Sequence, residues 1–267
     1  TLMDLKLNKH RTKLCFWFLQ RPSLYKQFCR ELLSFAKRKQ HPTLAINKEA
    51  KLWCENLAVD ENQSLKLISP SWEFLQFNEE FPLLVKNAFR IIQSLDCNWG
   101  GQGNISLNYN LANLFNAKQI LETGVAYGWS SLSLLKSLEN RGTGSLTSID
   151  MPFWGTNYEN QIGCVVPHEL RTRWHLIRLP DRDALPKLLK STKTFDFCHY
   201  DSDKSYDGKI WALPRIWNRI NTNGIMICDD ISDNLAFKDF CENFCLNPIV
   251  VKTFDSQVEK FVGIVMK

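Results

Sequence analysis

The regular alternation of short apolar runs with amphipathic segments, from Gln119 onwards, restricts the fold more than any other feature of the sequence. Buried strands are predicted at 119–122, 144–150, 174–179, 195–200, 225–228, 249–254 and 260–266. Helices are predicted between them at 130–138, 183–190, 207–219 and 235–245. Such alternation is typical of an α/β protein whose parallel sheet is covered by helices on both faces. Ligands of these sheets bind at the carboxyl ends of the strands.

Residues 1–97 lack this alternation and are predicted to form a helical N-terminal extension to a domain at 98–267. One helix is predicted to begin at Pro22, and the spacing of apolar residues predicts another at about 80–95. A glycine-rich loop at 98–104 and a short helix at 105–115 are predicted to precede the first strand. The 267 residues are enough for one large domain with such an extension.

Positive charge is concentrated at the beginning of the chain. Residues 1–40 contain ten Lys and Arg against two acids, a charge of +8, whereas the whole chain carries +5. A basic segment can bind nucleic acid or an anionic membrane surface. Because no RNA-binding motif accompanies it, we predict a solvated helix face instead, with an apolar stripe formed by Leu24, Phe28, Leu32 and Phe35. The longest early apolar run has six residues, 14–19, and is too short to span a membrane.

The nine cysteines are scattered, and no two of them form a C-x-x-C pair. This pattern predicts reduced thiols in a cytoplasmic protein, and the sequence shows no secretory signal pattern. The histidines do not cluster with cysteines at ligand spacing, which argues against a zinc site. The sequence leaves open whether the chain forms a homo-oligomer.

A glycine-containing turn is predicted directly after the first strand. The run from Glu122 to Gly128 (ETGVAYG) leads from that strand into a helix. Gly124 and Gly128 lack a Cβ where the backbone must turn sharply and approach a ligand, and their spacing differs from the G-x-G-x-x-G of pyrophosphate-binding turns. Asp150 ends the next strand, where an acid suits the two hydroxyls of a ribose. The pair predicts a nucleoside cofactor; the alternative is a simple strand–helix turn and a capping acid.

Carboxylates are concentrated after two further strands. Asp201 and Asp203 follow the fourth predicted strand, and Asp229 and Asp230 follow the fifth. Adjacent strands lie about 4.8 Å apart, so Asp201 is expected close to Asp229 and Asp230. Three such carboxylates would repel one another without a cation, which predicts that they bind Mg²⁺, Mn²⁺ or Ca²⁺. The alternative is that Asp229 and Asp230 cap the next helix and that Asp203 stabilises a turn.

A bound cation would favour attack by a hydroxyl group, because coordination lowers the pKa of the hydroxyl and holds its oxygen in place. Asp203 is the predicted general base, and Asp201 is the second residue predicted to take part in catalysis. His199 and Lys204 are alternative bases, although His199 is better explained as a packed residue of the strand.

With these motifs the chain resembles class I S-adenosylmethionine-dependent methyltransferases over about residues 98–267. The resemblance implies a Rossmann-like, seven-stranded, mostly parallel sheet with an antiparallel last strand. It also implies that the methionine part of S-adenosylmethionine lies at the glycine turn and near the loop 101–104, and the ribose at Asp150. Relatives place an acid near the adenine at 179–182, and here Asp181 stands one position from it. The implied cofactor-binding residues are Glu122, Gly124, Ala126, Tyr127, Gly128, Ser130, Asp150, Asp181 and Asp201.

The acids at 201–206 and 229–230 are similar in turn to those of metal-dependent O-methyltransferases. The similarity is nearest to sugar enzymes of the macrocin and noviose type and more distant to catechol and caffeoyl-coenzyme A enzymes. It implies a metal held by Asp201, Asp229 and Asp230, and a small hydroxylated substrate such as a sugar or a natural-product intermediate. Those sugar enzymes usually have D-x-D-H-S-Y, where this chain has Lys204 in the position of the histidine.

Two other hypotheses fit the sequence: a metal-independent methyltransferase that uses Asp203 or His199 as base, and a protein that binds S-adenosylmethionine without catalysis. The long segment 151–173 is predicted either to contact the methyl acceptor or to pack as a lid, because loops of this length often do so. Its candidate contact residues are Phe153, Trp154, Tyr158 and His168.

Overall fold

The computed structural model describes residues 13–37, 43–153, 156, 158–190, 193–255 and 258–267, with the side chains of 34–37 and 43–46 left out. The strands of these residues are β1 (Ala58–Val59), β2 (Gln119–Thr123), β3 (Ser145–Ile149), β4 (Trp174–Ile177), β5 (Phe195–Tyr200), β6 (Ile220–Cys228), β7 (Ile249–Asp255) and β8 (Val258–Met266). The α-helices are α1 (Tyr25–Lys37), α2 (Thr43–Leu57), α3 (Glu61–Ile68), α4 (Phe77–Glu80), α5 (Pro82–Gln93), α6 (Ile105–Leu114), α7 (Trp129–Asn140), α8 (Asp181–Lys190), α9 (Tyr206–Trp217) and α10 (Ala236–Asn243). Residues 13–19 are also helical.

The described strands form one mixed sheet in the order β1-β7-β8-β6-β5-β2-β3-β4. Neighbouring strands are parallel except that β8 runs antiparallel to both β6 and β7. The strand order reverses between β2 and β5, so the connections after these two strands diverge and leave a crevice at their carboxyl ends. The predicted Rossmann-like α/β fold with an antiparallel last strand is confirmed.

Successive strand residues pack into two separate layers of the core. Ile120 of β2 and Phe197 of β5 belong to the layer on one face of the sheet, and their neighbours Leu121 and Cys198 belong to the layer on the other. All four side chains are fully buried. Because strand side chains alternate between faces, a strand buried on both sides reads as a continuous apolar run, and such runs are what predicted these strands.

The sheet has one strand more than the seven that were predicted. Ala58 and Val59 pair in parallel with Val250 and Val251 and add a short edge strand from the N-terminal extension. Two residues between two helices carry no strand periodicity, and only pairing with β7 makes them a strand. Leu65 and Phe77 of the extension are also buried in the same core layer as Ile120.

Local sequence signals begin several helices. The carboxylate of Asp60 accepts a hydrogen bond from the Gln63 amide at 2.7 Å and caps α3. The hydroxyl of Ser205 accepts one from the Gly208 amide at 3.0 Å and caps α9. Such caps satisfy amide groups that have no partner within the helix.

The basic beginning of the chain is described only from residue 13 onwards. Arg21 forms an ion pair with Glu159 at 2.9 Å, and Arg30 forms one with Asp183 at 2.5 Å. Of the predicted apolar stripe, Leu24 and Phe28 pack with Trp17 and Phe18, whereas Leu32 is exposed and the side chain of Phe35 lies outside the description.

All nine cysteines are free thiols. Among the described helices, none has the length and apolarity that crossing a membrane requires.

Candidate active site

A cleft of about 190 Å³ lies at the carboxyl ends of the central strands. It is lined by the loop 99–104, the turn 125–127, the first residues of α7 and the acid-bearing ends of β5 and β6. The predicted site residues that line it are Ala126, Tyr127, Ser130, Asp201, Asp229 and Asp230. Those that lie outside its lining are Glu122, Gly124, Gly128, Asp150, Asp181 and Asp203. A larger open hollow of about 490 Å³ on α5 contains none of the predicted residues.

The glycine turn after β2 lies directly against the end of β5. Gly124 has a φ of +84°, and a Cβ built on it would lie 2.2 Å from the carbonyl oxygen of Asp201. Gly128, with a φ of +92°, is the N-cap residue of α7. Only glycine adopts such angles without strain, and at Gly124 the close approach also excludes a side chain. The predicted turn is therefore present, and its glycines shape the backbone that borders the cleft.

Asp150 supports this turn from the end of β3. Its Oδ2 atom accepts hydrogen bonds from the amides of Val125 and Ala126 at 2.7 and 3.1 Å. Its Oδ1 atom accepts one from Arg178 at 2.5 Å, a partner that the sequence did not reveal. Burial raises the pKa of Asp150, and Arg178 and the two amides act against that shift. Both oxygens thus have protein donors, so the predicted ribose contact would be shared with them.

Glu122 lies outside the lining of the cleft, and its predicted position beside the methionine stays a prediction. Its Oε2 atom accepts hydrogen bonds from the hydroxyls of Ser131 and Ser148, both at 2.6 Å, and the residue is fully buried. The Nδ1 atom of His199 lies 3.9 Å from its Oε1 atom. In the sheet register Glu122 stands beside Ser148 on β3 and His199 on β5, so the three side chains share one face.

His199 connects this buried row to the cleft. Its Nε2 atom lies 3.4 Å from the Oδ1 atom of Asp229, and Asp229 also accepts a hydrogen bond from Asn104 at 3.1 Å. Burial alone would lower the pKa of His199, but interactions with Asp229, Glu122 and Asp201 outweigh it and raise the pKa to about 10. The imidazole lies between two carboxylates that favour its protonated form. His199 is a buried residue of the strand, as predicted, and it also lies between two carboxylates that the prediction did not identify.

The predicted convergence of acids is found, but lysines accompany them. Asp230 accepts hydrogen bonds from Lys204 on one carboxylate oxygen and from Lys260, at 2.7 Å, on the other. The Lys204 ammonium also lies 3.7 Å from the Oδ1 atom of Asp201. Burial opposes the charge of Asp230, yet the two lysines prevail and lower its pKa. Burial and the neighbouring Asp229 raise the pKa of Asp201 to about 7, against the effect of Lys204.

Lys209 holds the backbone that presents these acids. Its buried ammonium donates to the carbonyl oxygens of Asp229 at 3.1 Å and of Asp230 at 2.5 Å. Asp230 itself has a φ of +50°, an angle that few residues other than glycine adopt. Hydrogen bonds to a buried cation stabilise this turn and aim the two carboxylates in different directions.

The arrangement does not fit a divalent cation as it stands. Both oxygens of Asp230 bind lysine ammonium groups, and one of these groups also lies near Asp201. Across the described part of the chain, no group of three or more His, Cys, Asp or Glu side chains is arranged to hold a metal ion. Metal binding by Asp201, Asp229 and Asp230 would require Lys204 to move away first. It therefore stays a prediction.

Asp203, the predicted general base, lies outside the lining of the cleft. Its Oδ1 atom accepts hydrogen bonds from the amide and the hydroxyl of Ser205, at 3.0 and 2.7 Å. This is the turn-stabilising role that formed the alternative hypothesis, because Asp side chains bind backbone amides two residues ahead. Of the two predicted catalytic residues, Asp201 lines the cleft and Asp203 does not, and the role of Asp203 as general base stays a prediction.

Asp181 begins α8 outside the cleft. Its carboxylate accepts a hydrogen bond from the Ser202 hydroxyl, which also lies 3.0 Å from the Thr123 hydroxyl. Burial is the largest of the causes that raise the pKa of Asp181 to about 7. The acid therefore connects α8 to the ends of β2 and β5, and its predicted contact with adenine is untested.

Aromatic rings close one side of the cleft. Trp99 stacks on Phe153 with ring centroids 4.7 Å apart and contacts Tyr127 at 5.0 Å. Tyr158 meets the same indole edge-on at 6.0 Å. Of the segment 151–173, these two aromatic residues thus pack against the wall of the cleft, His168 begins a 3₁₀ turn, and Trp154 lies outside the described residues.

Three polar residues of the cleft were not identified from the sequence: Asn108, Asp255 and Lys260. Asn108 follows Asn104 of the predicted loop by four positions, and that helical spacing was a usable signal. Asp255 and Lys260 come from the β7–β8 hairpin. Their approach to the cleft depends on the antiparallel insertion of β8 between β6 and β7, which no local pattern indicates.

Comparison with known proteins agrees with this geometry. Residues 121–231 match the family model of a methyltransferase domain. The match covers the glycine turn and the acid-bearing ends of β5 and β6, and it supports the predicted methyltransferase class for that part of the chain. The specific resemblance of the chain to the macrocin and noviose type stays a prediction. No curated protein matches the chain in sequence.

Solved structures share the fold across most of the chain. The O-methyltransferase TomG from Streptomyces achromogenes, involved in tomaymycin synthesis and solved with S-adenosylmethionine, is 17% identical, with a TM-score of 0.55 over 80% of this chain and 98% of that one. An O-methyltransferase from Bacillus cereus, solved with S-adenosylhomocysteine, is 16% identical, with a TM-score of 0.51 over 80% and 100%. The methyltransferase PaMTH1 of Podospora anserina, also bound to S-adenosylhomocysteine, is 16% identical, with a TM-score of 0.50 over 73% and 98%. At these identities the likeness shows the fold alone.

Proposed function

We propose that the protein transfers the methyl group of S-adenosylmethionine to a hydroxyl oxygen of a small molecule, such as a sugar or a natural-product intermediate. The observation that carries this proposal is one cleft that joins the glycine turn to carboxylates from two neighbouring strand ends. Two of the structures that share the fold are O-methyltransferases by name, which supports oxygen as the acceptor atom.

The cofactor would bind along the turn between β2 and α7. The amides of this turn are ordered by Asp150, and the loop 99–104 faces the turn across the cleft. The turn contains the predicted contact residues Ala126, Tyr127 and Ser130. A nucleoside that lies across the ends of β2 and β3 reaches Asp150 with its ribose, as ligands of such sheets do at the strand ends.

Methyl transfer requires an in-line approach of the acceptor oxygen and a base for its proton. The oxygen forms a bond to the methyl carbon while the carbon–sulfur bond breaks, and the sulfonium becomes a neutral thioether. Asp201 borders the cleft beside Gly124, so a base there is adjacent to the cofactor turn. The proton of the hydroxyl would pass to Asp201, with Lys204 beside it to stabilise the negative charge that develops on the oxygen.

Metal dependence is a separate part of the hypothesis. Asp201, Asp229 and Asp230 would hold the ion, but the lysine contacts of Asp230 leave its oxygens occupied. A metal-independent reaction is therefore favoured by a specific observation, the ammonium of Lys204 between Asp201 and Asp230. No step proposed above depends on a metal.

Calorimetry with S-adenosylhomocysteine and turnover on a panel of hydroxylated compounds would test the proposal, each with Mg²⁺ and with a chelator. We expect Asp201→Asn to lower kcat about 100-fold or more, the usual contribution of a general base, with little change in cofactor affinity. Asp203→Asn is the matched control and should keep most activity. Absence of cofactor binding by the wild type, or methylation confined to nitrogen acceptors, would overturn the proposal.

A further inference from the structure

The exposed side of α1 is apolar, although this helix lies in the most basic part of the chain. Leu32 and Leu33 are 57% and 67% exposed, and Tyr25 is 43% exposed. With the exposed Cys29, these residues follow one another at the spacing of a single helix face. A surface helix normally turns its polar side to water, so this orientation indicates that another apolar surface covers the helix.

The helix at 13–19 extends the same apolar surface. Phe16 and Leu19 are 64% and 63% exposed. The hydroxyl of Tyr25 donates a hydrogen bond to the carbonyl oxygen of Leu19 at 2.7 Å, so the exposed side chains of the two helices adjoin. Single exposed apolar side chains are ordinary, whereas adjoining ones mark an interaction site. We call the following five side chains the apolar face: Phe16, Leu19, Tyr25, Leu32 and Leu33.

Contacts on the opposite side hold the two helices in this orientation. Arg21 forms an ion pair with Glu159 at 2.9 Å, and Arg30 forms one with Asp183 at 2.5 Å. Trp17 is buried between these helices and the segment that carries Glu159. Turning the apolar face inwards would break both ion pairs and expose the indole. The face is therefore presented to the outside by the fold.

The charge around the apolar face selects the kind of partner. Lys13 precedes Phe16 by three positions and Lys26 precedes Leu33 by seven, so these two exposed cations stand on the apolar side of their helices. Residues 1–40 carry +8 and the whole chain only +5, so the remaining residues are net negative. This asymmetry orients the apolar face towards an anionic surface.

Two other partners fit these observations less well. A second copy of the chain would bring the same positive charge to the contact, and like charges repel. A nucleic acid contacts cations and polar groups mainly, and it would leave exposed leucines in water. An anionic lipid bilayer satisfies both features, because its headgroups attract cations and the boundary below them accepts apolar side chains.

We propose that the apolar face binds the surface of an anionic lipid bilayer, with both helices lying in the plane of the headgroups. The leucines and Phe16 enter the boundary between headgroups and acyl chains, and Lys13 and Lys26 pair with the anionic headgroups. This binding goes beyond methyl transfer and does not depend on it. It differs from the solvated helix face expected from the sequence, because the exposed side of α1 is apolar.

Co-sedimentation with lipid vesicles would test the proposal. We expect the wild type to bind vesicles of equimolar phosphatidylcholine and phosphatidylserine, and not vesicles of phosphatidylcholine alone. Salt at about 1 M should weaken this binding, because it screens the charges. The double variant Leu32→Gln, Leu33→Gln should bind about tenfold more weakly or worse, since it removes buried apolar area. The double variant Lys13→Gln, Lys26→Gln should also lose about tenfold.

Leu83→Gln and Lys86→Gln are the matched controls, because both residues are exposed on α5. They should bind vesicles as the wild type does, and thermal unfolding checks that every variant is folded. Equal binding of the wild type to both kinds of vesicle, or to neither, would overturn the proposal. So would unchanged binding by the double leucine variant, since charge alone would then explain the contact.

Light scattering and a duplex DNA probe distinguish the other partners. A stable dimer that the double leucine variant dissociates would assign the apolar face to a second copy and overturn the proposal. Binding of the DNA in preference to the anionic vesicles would overturn it as well. The affinity for S-adenosylhomocysteine tests the proposed function separately, because no residue of the apolar face lines the cleft.

Discussion

The Nε2 atom of His199 lies 3.4 Å from the Oδ1 atom of Asp229. On the other side of the imidazole, Glu122 lies 3.9 Å from Nδ1, and two serine hydroxyls hold Glu122 in turn. This row of buried polar groups runs across β3, β2 and β5 and ends at the cleft. The position of Asp229 therefore depends on residues that never reach the cleft themselves.

Replacing Glu122 by Ala should destabilise the protein strongly. The change leaves the Ser131 and Ser148 hydroxyls without their acceptor and removes the carboxylate that lies 3.9 Å from the buried imidazole of His199. We expect the free energy of unfolding in urea to fall by about 3–5 kcal/mol, the usual cost of removing one partner of a buried ionic contact. Glu139→Ala, which breaks the exposed ion pair with Lys136, is the control and should cost less than about 1 kcal/mol. Equal losses in the two variants would contradict this account.

Lys204→Met should strengthen the binding of Mn²⁺. The substitution removes the ammonium that lies beside Asp201 and binds Asp230, so a divalent cation no longer competes with it. We expect the affinity for Mn²⁺, measured by calorimetry, to rise about tenfold, which corresponds to about 1.4 kcal/mol. Lys252→Met, whose ion pair with Glu259 lies outside the lining of the cleft, should leave that affinity unchanged. An affinity that falls in Lys204→Met would show that the lysine supports the metal rather than replacing it.

Gly124→Ala should be much more harmful than Gly142→Ala. Both glycines have positive φ angles, +84° and +67°, so both substitutions introduce backbone strain of about 1 kcal/mol. At Gly142 a Cβ meets nothing within 4 Å, whereas at Gly124 it would lie 2.2 Å from the carbonyl oxygen of Asp201. We expect only Gly124→Ala to separate β2 from β5 and to abolish binding of S-adenosylhomocysteine. Similar unfolding temperatures for the two variants would exclude this contact as the cause.

Asp181 should make stability depend on pH. Its pKa is raised to about 7 in the folded protein, mainly by burial, against about 3.9 in an unfolded chain. The folded state holds this proton more tightly, so the contribution of Asp181 is greatest below pH 4 and is lost as pH rises to about 7. Because Asp181→Asn cannot titrate, the difference in free energy of unfolding between wild type and variant should decrease over that range and then level off. If the free energies of unfolding of wild type and Asp181→Asn differ by a constant amount from about pH 4 to 8, the pKa of Asp181 is not raised in the folded protein.

Asp150→Ala should weaken the cofactor. The carboxylate orders the amides of Val125 and Ala126 and is the predicted ribose ligand. We expect the affinity for S-adenosylhomocysteine to fall by about 1–3 kcal/mol. Asp150→Asn keeps one oxygen for the turn amides and should lose less. Unaltered affinity in the alanine variant would remove Asp150 from the cofactor site.

Most of the fold follows from local patterns in the sequence. β2 and β5 are buried on both faces and therefore read as apolar runs, and the glycines of the turn mark where the chain must bend. The acids at the ends of β5 and β6 could be predicted to share one cleft, because parallel strands end at the same edge of a sheet. The edge strand Ala58–Val59 could not be predicted from the sequence, since two residues are too few to show a periodic pattern.

The charges of the site were decided by the tertiary structure. The sequence indicated that Asp201, Asp229 and Asp230 would meet, and a divalent metal ion was predicted to neutralise them. Folding supplies Lys260 from the β7–β8 hairpin and His199 from within β5, and it places Asp203 against Ser205. Electrostatic partners are selected by distance in space, and residues remote in the chain approach only after the strands have paired. A sequence pattern records which groups a site contains, whereas packing decides which of them neutralise one another.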